Sequence, residues 1–266
     1  MKWKADILYR KPVKKVLIFI PFLYAIVIFA RVFGNDFWLD DYGWISNAIR
    51  ATRDTSYFFN PIAGFFRPVV NATFVINFWL SGLETTGYYL VNLLLHLVNV
   101  TLVFTLVYRL SERRYAIAWI ASLLFGGALG NYGESVIWIA GRTELIATTF
   151  YLSTLMFYWT FLHTRRARDY VLTILCFIMA LFSKESTISL LPVLITLDLC
   201  KTRHQKTPLL SRLKWYIPFG ILLLPYLWLE MQLQTSNYIV YEHYYQIGWH
   251  AILNTIEYLG LMVIPV

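Results

Sequence analysis

Charge is scarce in this chain of 266 residues: Asp, Glu, Lys and Arg together make up 14%, against about 25% in ordinary soluble domains. Cysteine is nearly absent as well. Cys176 lies inside one apolar run and Cys200 at the basic end of the next, which excludes a disulfide scaffold and a Cys-based metal cluster. No P-loop, G-x-S-x-G, H-E-x-x-H or dinucleotide-binding fingerprint occurs, so those nucleotide, hydrolase and metalloprotease mechanisms find no support. No repeat at a fixed period is visible, which argues against a solenoid. Hydrophobic residues fill the space: 58% of the chain, 18% aromatic, with a mean hydropathy of +0.56. Such a composition fits many helices meeting membrane interfaces.

The net charge of +8 does not form a nucleic-acid-binding stripe. Lys and Arg stand in short clusters between long apolar runs, as orientation signals and lipid-attracting segments do. A span needs about 20 mostly apolar residues, and the runs can be threaded accordingly. Lys15 to Phe33 reads as an uncleaved helix, since Arg31, Asp36 and Trp38 follow it in place of a cleavage site. Tyr42 to Arg53 and Val69 to Leu83 read as interfacial helices of the first outer loop. Tyr88 to Leu110, Tyr115 to Leu129, Leu145 to His163, Tyr170 to Phe182, Thr187 to Cys200 and Trp215 to Met231 follow, with a last run from Trp249. The expected fold is therefore all-α, a polytopic transmembrane bundle of about seven spans plus a partial one. With a cytoplasmic N-terminus, 17 of the 23 Lys and Arg fall on the cytoplasmic side, as the positive-inside rule requires. Residues 1–266 read as one module. Its end at Ile264, Pro265 and Val266, inside an apolar run without a basic flank, predicts the front part of a longer protein.

The threading gathers Asp36, Asp40, Asp41, Arg67, Glu84, Glu134, Arg142, Glu144, Lys184 and Glu185 on the non-cytoplasmic side. Ionisable groups near a bilayer demand a reason, and carboxylates beside cations suggest a site. Asp40 and Asp41 stand in Phe37-Trp38-Leu39-Asp40-Asp41-Tyr42. Adjacent carboxylates among apolar side chains can raise one pKa and supply a base; equally, one of them can cap a helix starting at Tyr42. Arg67, Arg142 and Lys184 suit a phosphate. Their alternatives are snorkelling for Arg67, pairing of Lys184 with Glu134, and pairing of Arg142 with Glu144 or Glu185. Asn92, His96 and Asn99 form one helical stripe, read as interhelical hydrogen bonding or as part of the site. His243 and His250 lack a third ligand for zinc. Asn71-Ala72-Thr73 matches a glycosylation sequon.

Taken in order, the double acid after the first span, Phe66-Arg67-Pro68, the Asn and His of Leu90 to Asn99, Glu134-Ser-Val-x-Trp-x-x-x-Arg142 and Ser183-Lys184-Glu185 resemble a known family. It is the multispanning GT-C glycosyltransferases, and within them the lipid-phosphate-mannose O-mannosyltransferases with tetratricopeptide repeats and their bacterial relatives. The resemblance implies sugar transfer on the non-cytoplasmic face of an endoplasmic-reticulum or bacterial inner membrane. It implies a polyprenyl-phosphate-linked donor, a protein or glycan acceptor and no nucleic acid. An acid of the first outer loop, Asp40 or Asp41 with a lean to Asp41, would be catalytic; Arg67, His96, Glu134, Arg142, Lys184 and Glu185 are the candidate substrate-binding residues. No cofactor is indicated with certainty; the acids leave a divalent metal ion open, although two adjacent carboxylates do not by themselves make a site. Two departures stand out: Gly130-Asn131-Tyr132-Gly133 replaces a common His-Pro, and no tetratricopeptide array follows. The alternative is a transporter or flippase for a lipid-linked sugar or other anion. It would place its polar groups near the bilayer midplane with repeat symmetry.

Overall fold

The computed structural model describes residues 19–127, 134–202, 209–234, 249 and 252–257. The basic N-terminal cluster, Gly130 to Gly133, His243, His250 and the stop at Val266 lie outside the described residues. Among the described residues the regular structure is helical, and an isolated bridge between Ile62 and Phe65 is the β-type pairing present. The helices are α1 (Ile20–Phe29), α2 (Asp41–Ala51), α3 (Pro68–Ser81), α4 (Thr85–Leu110), α5 (Tyr115–Gly126), α6 (Glu134–Ile137), α7 (Arg142–Thr164), α8 (Ala167–Leu181), α9 (Leu190–Thr202) and α10 (Ile217–Gln234).

Local chemistry sets these limits. Pro68 opens α3, where its missing N–H goes unmissed, and Gly82 closes it at φ +57°. A left-handed Arg165 ends α7. Helix α4 shows what solvent the bundle is built for. Asn92, His96 and Asn99 on it are buried, while Leu90, Leu94 and Val98 are exposed. A water-soluble helix would place these sets the other way round. Among the described residues two helices, α4 and α7, are long and apolar enough to cross a membrane, against about seven expected spans. α1, α5 and α10 lie in shorter apolar runs, and α3, expected in the interface, has 14 residues and reaches about 21 Å at 1.5 Å per residue.

Helix α7 packs along α8 and α4, α4 along α5, and α2 on α3. Two main cores result. One lies under α2 and α3, where Trp44 stacks on Phe74 with centroids 5.1 Å apart. The other joins α7, α8, α9 and α10 through Tyr158, Phe161, Phe177 and Phe219. Between α7, the turn after α2's preceding loop and the turn after α8 lies a cavity.

Candidate functional site: an outward cavity braced by buried charge

The cavity measures about 520 Å³, and its lining includes Asp40, Trp44, Arg67, Glu134, Trp138, Glu144 and Lys184. These side chains come from positions scattered over more than half of the sequence, so tertiary packing creates the site.

The adjacent acids diverge. Leu39 holds φ at +46°, a left-handed conformation that a bulky side chain adopts only under constraint. Beyond it, Asp40 is exposed and lines the cavity. Asp40 occupies the N-cap position of α2, yet its side chain makes no capping hydrogen bond, so capping does not account for it. Asp41 points the opposite way and is fully buried. Its Oδ2 accepts from the Trp38 N–H (2.9 Å) and its Oδ1 from the Ala140 N–H (2.7 Å). Burial pushes the Asp41 carboxyl above its usual range, opposed by those two N–H donors; the Asp40 charge adds to the rise and Arg142 counters it. Asp41 is therefore placed to brace main chain, while Asp40 faces the cavity.

Arg142 also turns inward. It is fully buried, with Nη2 donating to Asn77 Oδ1 (2.7 Å) and to the Tyr88 carbonyl (3.0 Å), and Nε donating to Asn92 Oδ1 (2.9 Å). Its guanidinium lies 4.4 Å from the Phe74 ring centre. All donors engaged here point to protein acceptors on α3 and α4, so Arg142, expected to bind substrate, ties three helices together. Neither of its expected carboxylate partners, Glu144 or Glu185, takes that role. His96 lies between α4 and α5. Its Nε2 is 3.0 Å from the Gly126 carbonyl and its ring stacks on Phe125, which is interhelical packing remote from the cavity lining.

The two remaining cations do reach the cavity, each with a carboxylate. Arg67 forms a fork with Glu185, at 2.8–3.2 Å, and lies over Phe65. Lys184 pairs with Glu144 rather than Glu134. The arrangement follows from docking of the first outer loop on the turn after α8: Val69 N–H donates to the Phe182 carbonyl (3.3 Å), and Phe66 meets Phe182 edge-on. Burial, and then the nearby Arg67 charge, pull the Lys184 ammonium below the usual lysine range, while Glu185 opposes the shift. Asp40, Arg67, Glu134 and Lys184 thus come together, Glu185 stands beside them, and Asp41, Arg142 and His96 do not face the space.

Sequence reading passed over Trp138, Trp44 and Thr143 in the lining and gave Glu144 only a partner's part. Trp138 was visible inside the Glu134-to-Arg142 motif, and Glu144 belonged to the outer polar set. Among the described residues no three His, Cys, Asp or Glu side chains are grouped to hold a metal ion, and the lining acids do not make the oxygen cage a divalent ion takes. Asn71 of the sequon is buried, its Nδ2 donating to the carbonyls of Phe58 and Asn60, so it is not presented for glycosylation.

Comparison with known proteins gives the site a context. The chain is 31% identical over 163 residues to a protein O-mannosyl-transferase of Caenorhabditis elegans, covering 59% of this chain and 22% of that one. It is 31% identical over 132 residues to the protein O-mannosyl-transferase Tmtc1 of Drosophila melanogaster, covering 48% and 15%. With the protein O-mannosyl-transferase TMTC3 of Homo sapiens it shares 28% identity over 176 residues, covering 59% and 18%. The matched segments thus span about a fifth of the length of these curated relatives. No family model and no solved structure matches the chain.

Proposed function

We propose that the chain is the membrane-embedded catalytic module of a GT-C-type glycosyltransferase. It moves a sugar, mannose by the names of its relatives, from a polyprenyl-phosphate donor to an acceptor hydroxyl on a protein or glycan. The observation that carries the reading is the meeting of two cavity-facing carboxylates, Asp40 and Glu134, with two cations, Arg67 and Lys184, in one cavity of about 520 Å³. The module crosses the membrane about seven times with its N-terminus in the cytoplasm, α2 and α3 lying in the outer interface. Transfer takes place on the non-cytoplasmic face of the endoplasmic-reticulum or bacterial inner membrane.

Asp40 takes the proton of the acceptor hydroxyl as its oxygen attacks the anomeric carbon. The bond from that carbon to the phosphate oxygen breaks on the opposite face, so the configuration inverts. The electron pair leaves with the lipid phosphate, which needs no proton, only positive charge where negative charge develops. Lys184 and Arg67 supply it by sharing their donors between phosphate and their carboxylate partners. The proton on Asp40 returns to solvent.

The test uses the full-length protein in membranes, dolichyl phosphate mannose and a Ser/Thr-containing peptide. Transfer with inverted configuration is the expected result, lost in Asp40→Asn. Absence of transfer from this donor in the wild type, or retention of configuration, overturns the reading.

A further inference from the structure

The buried polar groups behind the cavity converge on one short stretch of main chain. Asn92 Nδ2 donates to the carbonyls of Trp138 (3.0 Å) and Ile139 (3.3 Å). Asp41 accepts from the Ala140 N–H, and the Gly141 N–H closes a turn on the Trp138 carbonyl at 3.1 Å. The turn is so tight that a Cβ on Gly141 would stand 2.7 Å from the Ser135 Cα. Arg142 then anchors the next residue through α3 and α4. A stretch fixed from so many sides holds whatever it presents at a defined position, and the large side chain it presents to the cavity, beside Ala140 and Gly141, is Trp138.

The indole is itself oriented. Its Nε1–H donates to the Trp38 carbonyl (3.4 Å), and the two Trp rings meet edge-on with centroids 6.5 Å apart. One part of the ring packs on the core under α2 and α3 while another lines the cavity. One turn earlier on α6 stands the exposed carboxylate of Glu134, with Ser135 beside it, both in the lining. A carboxylate repels phosphate, and an isoprenoid chain has no use for hydroxyl acceptors. A pyranose uses both features, because it has an apolar C–H face and a rim of hydroxyl donors. Aromatic surface with a few placed polar groups is how small-molecule sites fix such a ligand.

We infer that Trp138 is the sugar platform of this cavity: its ring stacks on the apolar face of the transferred pyranosyl group, while Glu134 accepts a hydroxyl of the same sugar. The inference rests on the proposed transferase reading and names the part of the cavity that selects the glycosyl group. Rigid main chain behind Trp138 keeps the entropic cost of that contact low, since ring and backbone are ordered before the sugar arrives.

The experiment measures binding of two short synthetic carriers, citronellyl phosphate and its mannosyl ester, to the detergent-solubilised full-length protein. The wild type is expected to bind the mannosylated carrier more tightly than the bare one. Trp138→Leu should bind bare citronellyl phosphate as the wild type does but lose about three- to tenfold of the sugar's advantage. Trp138→Phe keeps a ring and the core packing, and should fall between the two, which decides the matter if the Leu variant fails to fold. An unchanged mannosyl advantage in these variants overturns the platform and leaves the transferase reading standing. A rise in acceptor KM with donor binding unaltered also overturns it, by moving the ring to the acceptor. If the wild type binds neither carrier, the donor reading itself fails and the platform with it.

Discussion

Around the cavity, Asp41, Asn92 and Arg142 direct their hydrogen bonds to main chain and amide groups of the segment that lines the space. In the core joining α7, α8, α9 and α10, one buried relay runs from side chain to side chain: Tyr158 donates to Tyr216 (3.0 Å), which donates to Asp198 (2.7 Å). Both regions bury charge or hydroxyls at a desolvation penalty, yet they do so to different ends. The second network joins helix to helix. The first also immobilises residues 138–142 against the cavity, and preorganisation of that kind is what catalytic and binding sites need. The burial of an ionisable group therefore says little alone; the atoms it bonds decide whether it builds the frame or aims the site.

Four substitutions and conditions would break or sharpen that contrast. Arg142→Met should have the largest effect on stability. It strands the acceptors on Asn77, Asn92 and Tyr88, a loss of about 3 kcal/mol or more, read from unfolding of the solubilised protein. If it proves as mild as a hydroxyl deletion in the other core, the cavity is not braced as described. Lys184→Ala should lower kcat/KM for the donor about tenfold or more, through both a raised donor KM and a reduced kcat, with the unfolding midpoint little changed, by steady-state transfer assays. Tyr216→Phe removes a link of the second network and should lower stability by about 1 kcal/mol, leaving the transfer rate per folded molecule unaltered.

The smallest expected effect is a pH slope. Burial raises the Asp41 carboxyl above 3.8 in the fold, so the folded chain favours its protonated form more than the unfolded chain does. Its contribution to stability is then greatest below that value and declines as the pH rises through the folded pKa. Unfolding midpoints across that window should drop more in the wild type than in Asp41→Asn, which cannot titrate. Equal slopes would mean that the two N–H donors offset burial, and a wild type that gains on Asp41→Asn as the pH rises would mean that they outweigh it.

The helices were largely legible in the sequence, the site only in part. The run from Tyr88 to Leu110 became Thr85–Leu110, and Leu145 to His163 became Arg142–Thr164, because long apolar runs have no other way to satisfy their backbone in lipid. The polar set of the outer face held Asp40, Arg67, Glu134 and Lys184, which the fold does assemble. What the sequence could not show was direction. Asp41 turns inward because Ala140, 99 residues away, offers an N–H, and Arg142 because Asn77 and Asn92 on α3 and α4 offer carbonyls. Local spacing carries no record of such partners. Asn77 inside an apolar run was the hint available, since a buried amide needs a partner.

The central claim is that neighbouring acids have separate tasks, Asp40 acting on substrate and Asp41 holding the wall behind it. It is tested most directly by measuring transfer rate and unfolding midpoint on the same preparations of Asp40→Asn and Asp41→Asn. The account predicts that Asp40→Asn loses at least about 10²-fold in rate with a wild-type midpoint. Asp41→Asn should unfold at a lower temperature, because an Asn cannot accept both N–H groups. An Asp41→Asn variant that is inactive yet as stable as the wild type, beside an active Asp40→Asn, would contradict it.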